Sequence, residues 1–133
     1  DAKVDGRWIS PCSPEFRRWY GTGQRTRIQF IRERTNAGLS VVLHAPAQRT
    51  GLGRLQPDDL TERSECVREW WREVAEAEGL DVIDLADFTC PGGSDDCDLD
   101  SRADGIHYGN EIAPSVATWL IGRIQPRIPE GRR

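Results

Sequence analysis

The pattern of apolar and polar positions divides the chain into alternating helices and strands. Apolar residues at three- and four-residue spacing predict a long amphipathic helix over about 59–78 and a last helix beginning near Asn110. Two short apolar runs rich in β-branched residues, 39–45 and 80–85, predict buried strands. Alternation of this kind builds a parallel sheet with helices on both of its faces.

The sequence of the first forty residues indicates an irregular segment followed by two helices. Residues 1–14 predict an extended loop, because Asp5–Gly6 and two prolines interrupt regular structure. Ser13 is a good N-cap for a short helix over 14–20. The pattern over 23–37 predicts a second, surface helix that ends at the following glycine.

The second half of the chain predicts a long loop and a frayed end. Residues 86–109 are rich in Gly and Asp, and the tail over 126–133 is rich in Pro and Arg and is predicted to be flexible. Because two strands are too few for a free-standing sheet, we expect further strands upstream of Asp1. The sequence contains no Met, so we also expect the 133 residues to be a fragment or a processed form.

Composition excludes several classes of protein. A hydrophobic fraction of 37% and a charged fraction of 30% indicate a folded domain, and no apolar run is long enough to cross a bilayer. The net charge is -4 and no basic face stands out, so we do not expect a nucleic-acid partner. No cofactor is predicted, and the oligomeric state is open.

Four cysteines favour two disulfides over a metal site. With no CxxC motif and only two histidines, a zinc site has little support. Cys90 and Cys97 bracket a turn-rich segment, which favours their pairing and leaves Cys12 for Cys66, although three connectivities are possible. Disulfides imply an oxidising, extracytoplasmic compartment. The alternative interpretation is that all four cysteines are reduced in a cytosolic protein, such as a response-regulator-like or flavodoxin-like domain.

The candidate chemistry lies in the loop before the last helix. Asp104 and His107 stand three residues apart, after the second strand, where catalytic groups of open α/β sheets gather. A turn there would place the carboxylate against one imidazole nitrogen, which leaves the other nitrogen to take a proton from a serine hydroxyl. An Asp three residues before a His is a common pattern. The prediction therefore depends on where this pair lies in the chain, after a strand and just before the last helix.

Several short segments along the chain belong to one recognisable series. They are Asp5-Gly6-Arg7-Trp8, Ser10-Pro11-Cys12, the strand from Val41 to Pro46, Val82-Ile83-Asp84-Leu85, Cys90-Pro91, Asp104-Gly105-Ile106-His107-Tyr108 and Trp119-Leu120. Taken together, these segments resemble the end of an SGNH hydrolase domain. More narrowly, they resemble the SGNH domains fused to bacterial acyltransferase-3 membrane proteins, over most of residues 1–125.

The resemblance implies a flavodoxin-like, three-layer α/β/α fold with the N-terminal strands missing. It also implies that His107 and Asp104 are triad members of a serine esterase or O-acyltransferase. Its substrates would be acylated carbohydrates of the bacterial cell surface or small esters, and its parent protein would be anchored in a membrane by a missing N-terminal region. The chain departs from the family in having no Gly-Asp-Ser block and no recognisable oxyanion residues.

Other candidates have structural explanations. Ser40 lacks the flanking glycines of a nucleophile elbow, and His44 at a strand end fits a packed or hydrogen-bonded side chain. The alternating acidic residues from Asp96 to Asp100 lack the glycine and the final glutamate of a calcium loop. The alternative function is a non-catalytic binding or accessory α/β module of a cell-envelope protein.

Overall fold

The structure is a computed structural model, and it describes five parts of the chain: residues 2–36, 38–46, 57–90, 102 and 107–124. For residues 57–60 only the backbone is described. Residues 126–133, predicted to be a flexible tail, lie outside the described residues.

An antiparallel hairpin opens the chain. Strands β1 (Ala2–Val4) and β2 (Arg7–Ile9) are joined by Asp5 and Gly6, whose φ angles are +48° and +81°. Positive φ at both central residues is what a two-residue hairpin turn requires, and Asp-Gly supplies it. The prediction of an extended loop over 1–14 was therefore wrong for this part, because the dipeptide that breaks a helix also closes a hairpin.

One continuous helix follows where two were predicted. Helix α1 spans Pro14–Arg32, and the Ser13 hydroxyl accepts the Phe16 N–H at 3.1 Å as an N-cap. The predicted break at Gly21 does not occur, because this glycine lies against helix α2. A Cβ built on Gly21 would lie 3.6 Å from a methyl group of Val74. Close packing of two helices thus outweighs the low helix propensity of glycine.

The core forms where helix α2 (Pro57–Ala77) covers a parallel pair of strands. Strands β3 (Ser40–Leu43) and β4 (Asp81–Asp84) pair in register, with Leu43 opposite Asp84. Successive side chains of a strand point to opposite faces of the sheet, so the apolar side chains of one face pack against α2. That cluster contains Val41, Leu43 and Ala75, with Trp71, Leu80 and Val82 packed against it.

Two further helices follow β4. Helix α3 (Ala86–Thr89) is a single turn inside the segment predicted as a loop, and α4 (Ala113–Ile124) is the predicted last helix. Phe88 of α3 meets Trp119 of α4 with ring centroids 5.7 Å apart. Of the residues of α4, only Val116 is buried, so this helix is incompletely covered by the described residues.

The described residues therefore form a mixed α/β structure around a two-stranded parallel sheet. The order in which helices and strands alternate agrees with the α/β class expected from the sequence. None of the described helices is long and apolar enough to cross a membrane.

The Cys12–Cys66 disulfide ties the start of α1 to α2, as predicted. Beside it, the Trp70 indole N–H donates to the Pro11 carbonyl at 2.7 Å. Cys90 is also disulfide-bonded, but Cys97 lies outside the described residues, so the Cys90–Cys97 pairing stays a prediction. A disulfide agrees with an oxidising compartment.

We expect the double substitution Cys12→Ser/Cys66→Ser to lower the free energy of unfolding by about 4 kcal/mol, on the chain-entropy estimate for its loop. The bond spans 54 residues of sequence and so restricts much of the unfolded chain. Urea unfolding followed by circular dichroism measures the change. Reductant should then shift the midpoint of the double variant far less than that of the parent. A loss below about 1 kcal/mol would show that the bond constrains little of the unfolded chain.

Candidate functional site

The carboxyl edge of the parallel sheet is the natural place for a site. Because Leu43 pairs with Asp84 in a parallel register, β3 and β4 end at the same edge. His44 and Ala45 continue from one strand, and Leu85 from the other. Ligands and catalytic groups of open α/β sheets collect at this edge.

An ion-pair cluster that the sequence analysis missed holds the two strand ends together. The Asp84 carboxylate accepts two hydrogen bonds from Arg68, at 2.8 and 3.0 Å, and one from Arg72 at 2.8 Å. It also accepts the Ala86 N–H at 2.9 Å. A second nitrogen of the Arg68 guanidinium donates to the His44 carbonyl, so one arginine of α2 binds the ends of both strands.

This environment favours the charged form of Asp84. Burial is the largest single influence and by itself raises the pKa of the carboxyl group. The Ala86 N–H, the Arg72 guanidinium and the charge of Arg68 act in the other direction and together hold the pKa of Asp84 below its ordinary value. The cluster is therefore a fixed ionic anchor at neutral pH.

Arg102 connects the last loop to the end of β3. Its side chain is only 1% exposed, and it donates to the carbonyl oxygens of Pro46 at 2.8 Å and Ala45 at 3.4 Å. Its guanidinium carbon lies 5.9 Å from the centre of the Tyr108 ring. A buried cation bonded in this way brings the neighbour of His107 to the carboxyl edge of the sheet.

Of the two predicted site residues, His107 belongs to the described part of the chain. His107 is exposed and lies six residues before α4, next to Tyr108. Asp104 lies outside the described residues, so the contact between its carboxylate and the imidazole stays a prediction. Tyr108, the neighbour of His107, has its ring 5.9 Å from the guanidinium carbon of Arg102, which is bonded to the carbonyl groups that follow β3.

Neither of the other polar candidates forms a constellation with His107 in the described residues. His44 is exposed at the end of β3, and Ser40 is exposed at the start of the same strand. The described residues contain no group of His, Cys, Asp or Glu that could hold a metal ion. The acidic residues of the calcium alternative, 96–100, lie outside the described part of the chain.

A cavity of about 360 Å³ adjoins the end of β3. Among the described residues, aromatic and aliphatic side chains make up most of its wall, and three of the lining residues are polar. Its described lining comes from α1, α2 and the end of β3, and includes no residue of β4. Its lining residues are Tyr20, Val42, Leu43, His44, Ala45, Ser64, Val67, Arg68 and Trp71.

Comparisons with known proteins give no match: neither a protein-family model nor a curated protein nor a solved structure matches this chain.

Proposed function

We propose that this chain supplies the base and the orienting carboxylate of a Ser-His-Asp enzyme that moves acyl groups to or from hydroxyls. His107 is the base and Asp104 the carboxylate. The observation that supports the proposal is that Arg102 donates to the Pro46 carbonyl after β3 and also lies 5.9 Å from the ring of Tyr108, the neighbour of His107. The carboxyl edge, where β3 ends, is where a parallel sheet presents catalytic groups.

The chemistry divides into two transfers. The imidazole of His107 takes the proton of a serine hydroxyl as the serine oxygen attacks the ester carbonyl, and it returns that proton to the departing alcohol oxygen. Water or an acceptor hydroxyl then attacks the acyl-serine, with His107 again holding and returning the proton. Asp104 fixes the imidazole tautomer and stabilises the imidazolium form.

We propose that the substrates are O-acyl groups of cell-surface glycans or small esters, and that the protein works outside the bacterial cytoplasm. The Cys12–Cys66 disulfide supports an oxidising compartment. The resemblance to SGNH domains of acyltransferase-3 proteins supports the substrate class. The same resemblance implies that the nucleophilic serine follows the first strand of a flavodoxin-like sheet, upstream of residue 1.

The coding sequence of the natural gene tests this proposal. We expect a Gly-Asp-Ser tripeptide at the end of an apolar strand within roughly the preceding hundred residues, which is the length an ordinary domain would require. If the Gly-Asp-Ser tripeptide is absent, the enzyme has no nucleophile and the enzymatic proposal is wrong. The function would then be that of a non-catalytic binding module.

A further inference from the structure

Arg102 is built into the backbone that leaves strand β3. Only 1% of the residue is exposed, and its guanidinium donates to the carbonyl oxygens of Pro46 at 2.8 Å and of Ala45 at 3.4 Å. Removing a charged side chain from water is costly unless it is hydrogen-bonded, and bonds from a charged donor are strong. These two carbonyl groups therefore hold the guanidinium in one place beside the end of the strand.

Tyr108 meets this guanidinium through its ring. The guanidinium carbon of Arg102 lies 5.9 Å from the ring centre, which is within the range of a cation–π contact. The Tyr108 hydroxyl is buried and has no hydrogen-bond partner among the described residues. A buried hydroxyl without a partner does not stabilise the position of its ring. The contacts of the ring itself, with Arg102 as the charged one, therefore hold Tyr108.

His107 lies directly before this contact and close to helix α4. Its side chain is exposed, whereas Tyr108 is half-buried. In the turn that enters α4, the Gly109 carbonyl accepts the N–H groups of Ile112 at 3.1 Å and of Ala113 at 3.0 Å. This turn fixes the chain from Gly109 onward, and the ring contact fixes the residue between Gly109 and His107. The exposed imidazole is thus attached to a backbone that is held immediately beside it.

We infer that Arg102 is a positioning residue for His107: it holds the Tyr108 ring, and through Tyr108 it fixes the backbone that carries the imidazole. The inference deepens the proposed function and rests on it, because a fixed backbone matters to a general base that must face a serine hydroxyl. A displacement of about 1 Å in such a group can lower the rate about 100-fold. The Arg102 side chain is buried, so it acts on the reaction through His107 and not by touching the substrate.

Backbone amide relaxation, measured by NMR on the protein as its gene encodes it, tests the positioning directly. In the parent, we expect order parameters of about 0.85 for the His107 and Tyr108 amides, the value of rigid backbone. Arg102→Met keeps an apolar stem and removes the cation, so both values should fall below about 0.6. Unchanged order parameters in folded Arg102→Met, or a parent His107 already below about 0.6, would overturn the inference.

Two substitutions at Tyr108 separate the ring from its hydroxyl. Tyr108→Leu removes the ring and leaves the bonds of Arg102 to the backbone intact, so it should loosen His107 as Arg102→Met does. It replaces Arg102→Met in every measurement if that variant does not fold. Tyr108→Phe keeps the ring and should recover the order parameter of His107 that Tyr108→Leu loses. Failure of Tyr108→Phe to recover it would show that the ring contact with Arg102 is not what holds this backbone.

The rate of labelling by a fluorophosphonate, which reacts covalently with an activated serine, gives the consequence for the reaction. Folded Arg102→Met should be labelled about 100-fold more slowly than the parent. Arg123→Met is the matched control, because the exposed Arg123 lies over the Trp119 ring of α4, at 4.9 Å from its centre. This variant should be labelled at the rate of the parent.

The labelling results also separate the inference from the proposed function. If folded Arg102→Met is labelled at the rate of the parent while His107→Ala is not labelled, the inference is wrong and the proposed function stands. If His107→Ala is labelled at the rate of the parent, the proposed function is wrong. The order parameters then still decide whether Arg102 holds the backbone at His107.

Discussion

The substitution Asp84→Ala is expected to lower the free energy of unfolding by about 3 kcal/mol or more, the usual cost of breaking a buried ion pair from one side. The Asp84 side chain is 13% exposed and that of Arg68 is 11% exposed, so water cannot readily replace the lost bonds. Arg68 and Arg72 would be left facing each other without their shared carboxylate. Urea unfolding at neutral pH measures the loss.

Glu65→Ala provides the matched control. Glu65 also pairs with Arg68, at 3.2 Å, but its side chain is 44% exposed. An exposed ion pair within one helix contributes at most about 1 kcal/mol, so this variant should stay close to the parent. Equal losses in the two variants would show that Asp84 is not the anchor of the two strand ends.

The pH dependence of the same cluster has a definite sign. Because the folded pKa of Asp84 lies below its ordinary value, its carboxylate stabilises the fold at pH values above the unfolded pKa of about 3.9. That contribution is lost as the pH falls through the lower, folded pKa. The difference in unfolding free energy between the parent and Asp84→Asn should therefore be constant above about pH 5 and shrink on further acidification. A constant difference down to about pH 2 would contradict this assignment.

Local pattern was enough to predict the main elements. The period of apolar residues predicted helix α2 and both parallel strands to within a few residues, because burial against one partner imposes that period. It failed at Gly21, where packing against Val74 keeps α1 continuous, and at Asp5–Gly6, where a turn signal closed a hairpin. The first error concerns a contact between two helices that only the folded chain creates, whereas the second concerns a local dipeptide that is compatible with both a loop and a hairpin.

The local spacing of apolar and polar residues could not predict the arginine contacts at the site. Arg68 and Arg72 are separated by four residues and so share one face of α2, but their common partner, Asp84, lies on a different element. Arg102 lies in a segment that predicted only a loop, and its partners belong to residues 45 and 46. The partners of long, flexible arginine side chains depend on distances in the folded structure. These distances leave no periodic pattern in the sequence. The expectation that His107 lies near the carboxyl edge came from the general rule for α/β sheets and stays a prediction.

The His107 prediction has the largest expected effect. An activated serine reacts covalently with a fluorophosphonate because a neighbouring base removes its proton, and loss of the histidine from such a triad lowers the rate by about 10⁶-fold. The chain contains a second histidine, His44, which is exposed at the end of β3. It provides a control at the same edge of the sheet.

The direct measurement is fluorophosphonate labelling of the protein as its gene encodes it, followed over time by intact mass. We expect rapid single labelling of the parent and of His44→Ala. His107→Ala should show no labelling on the same time scale, although circular dichroism should show it to be folded. Labelling of folded His107→Ala at the rate of the parent would contradict the role of His107 as the base.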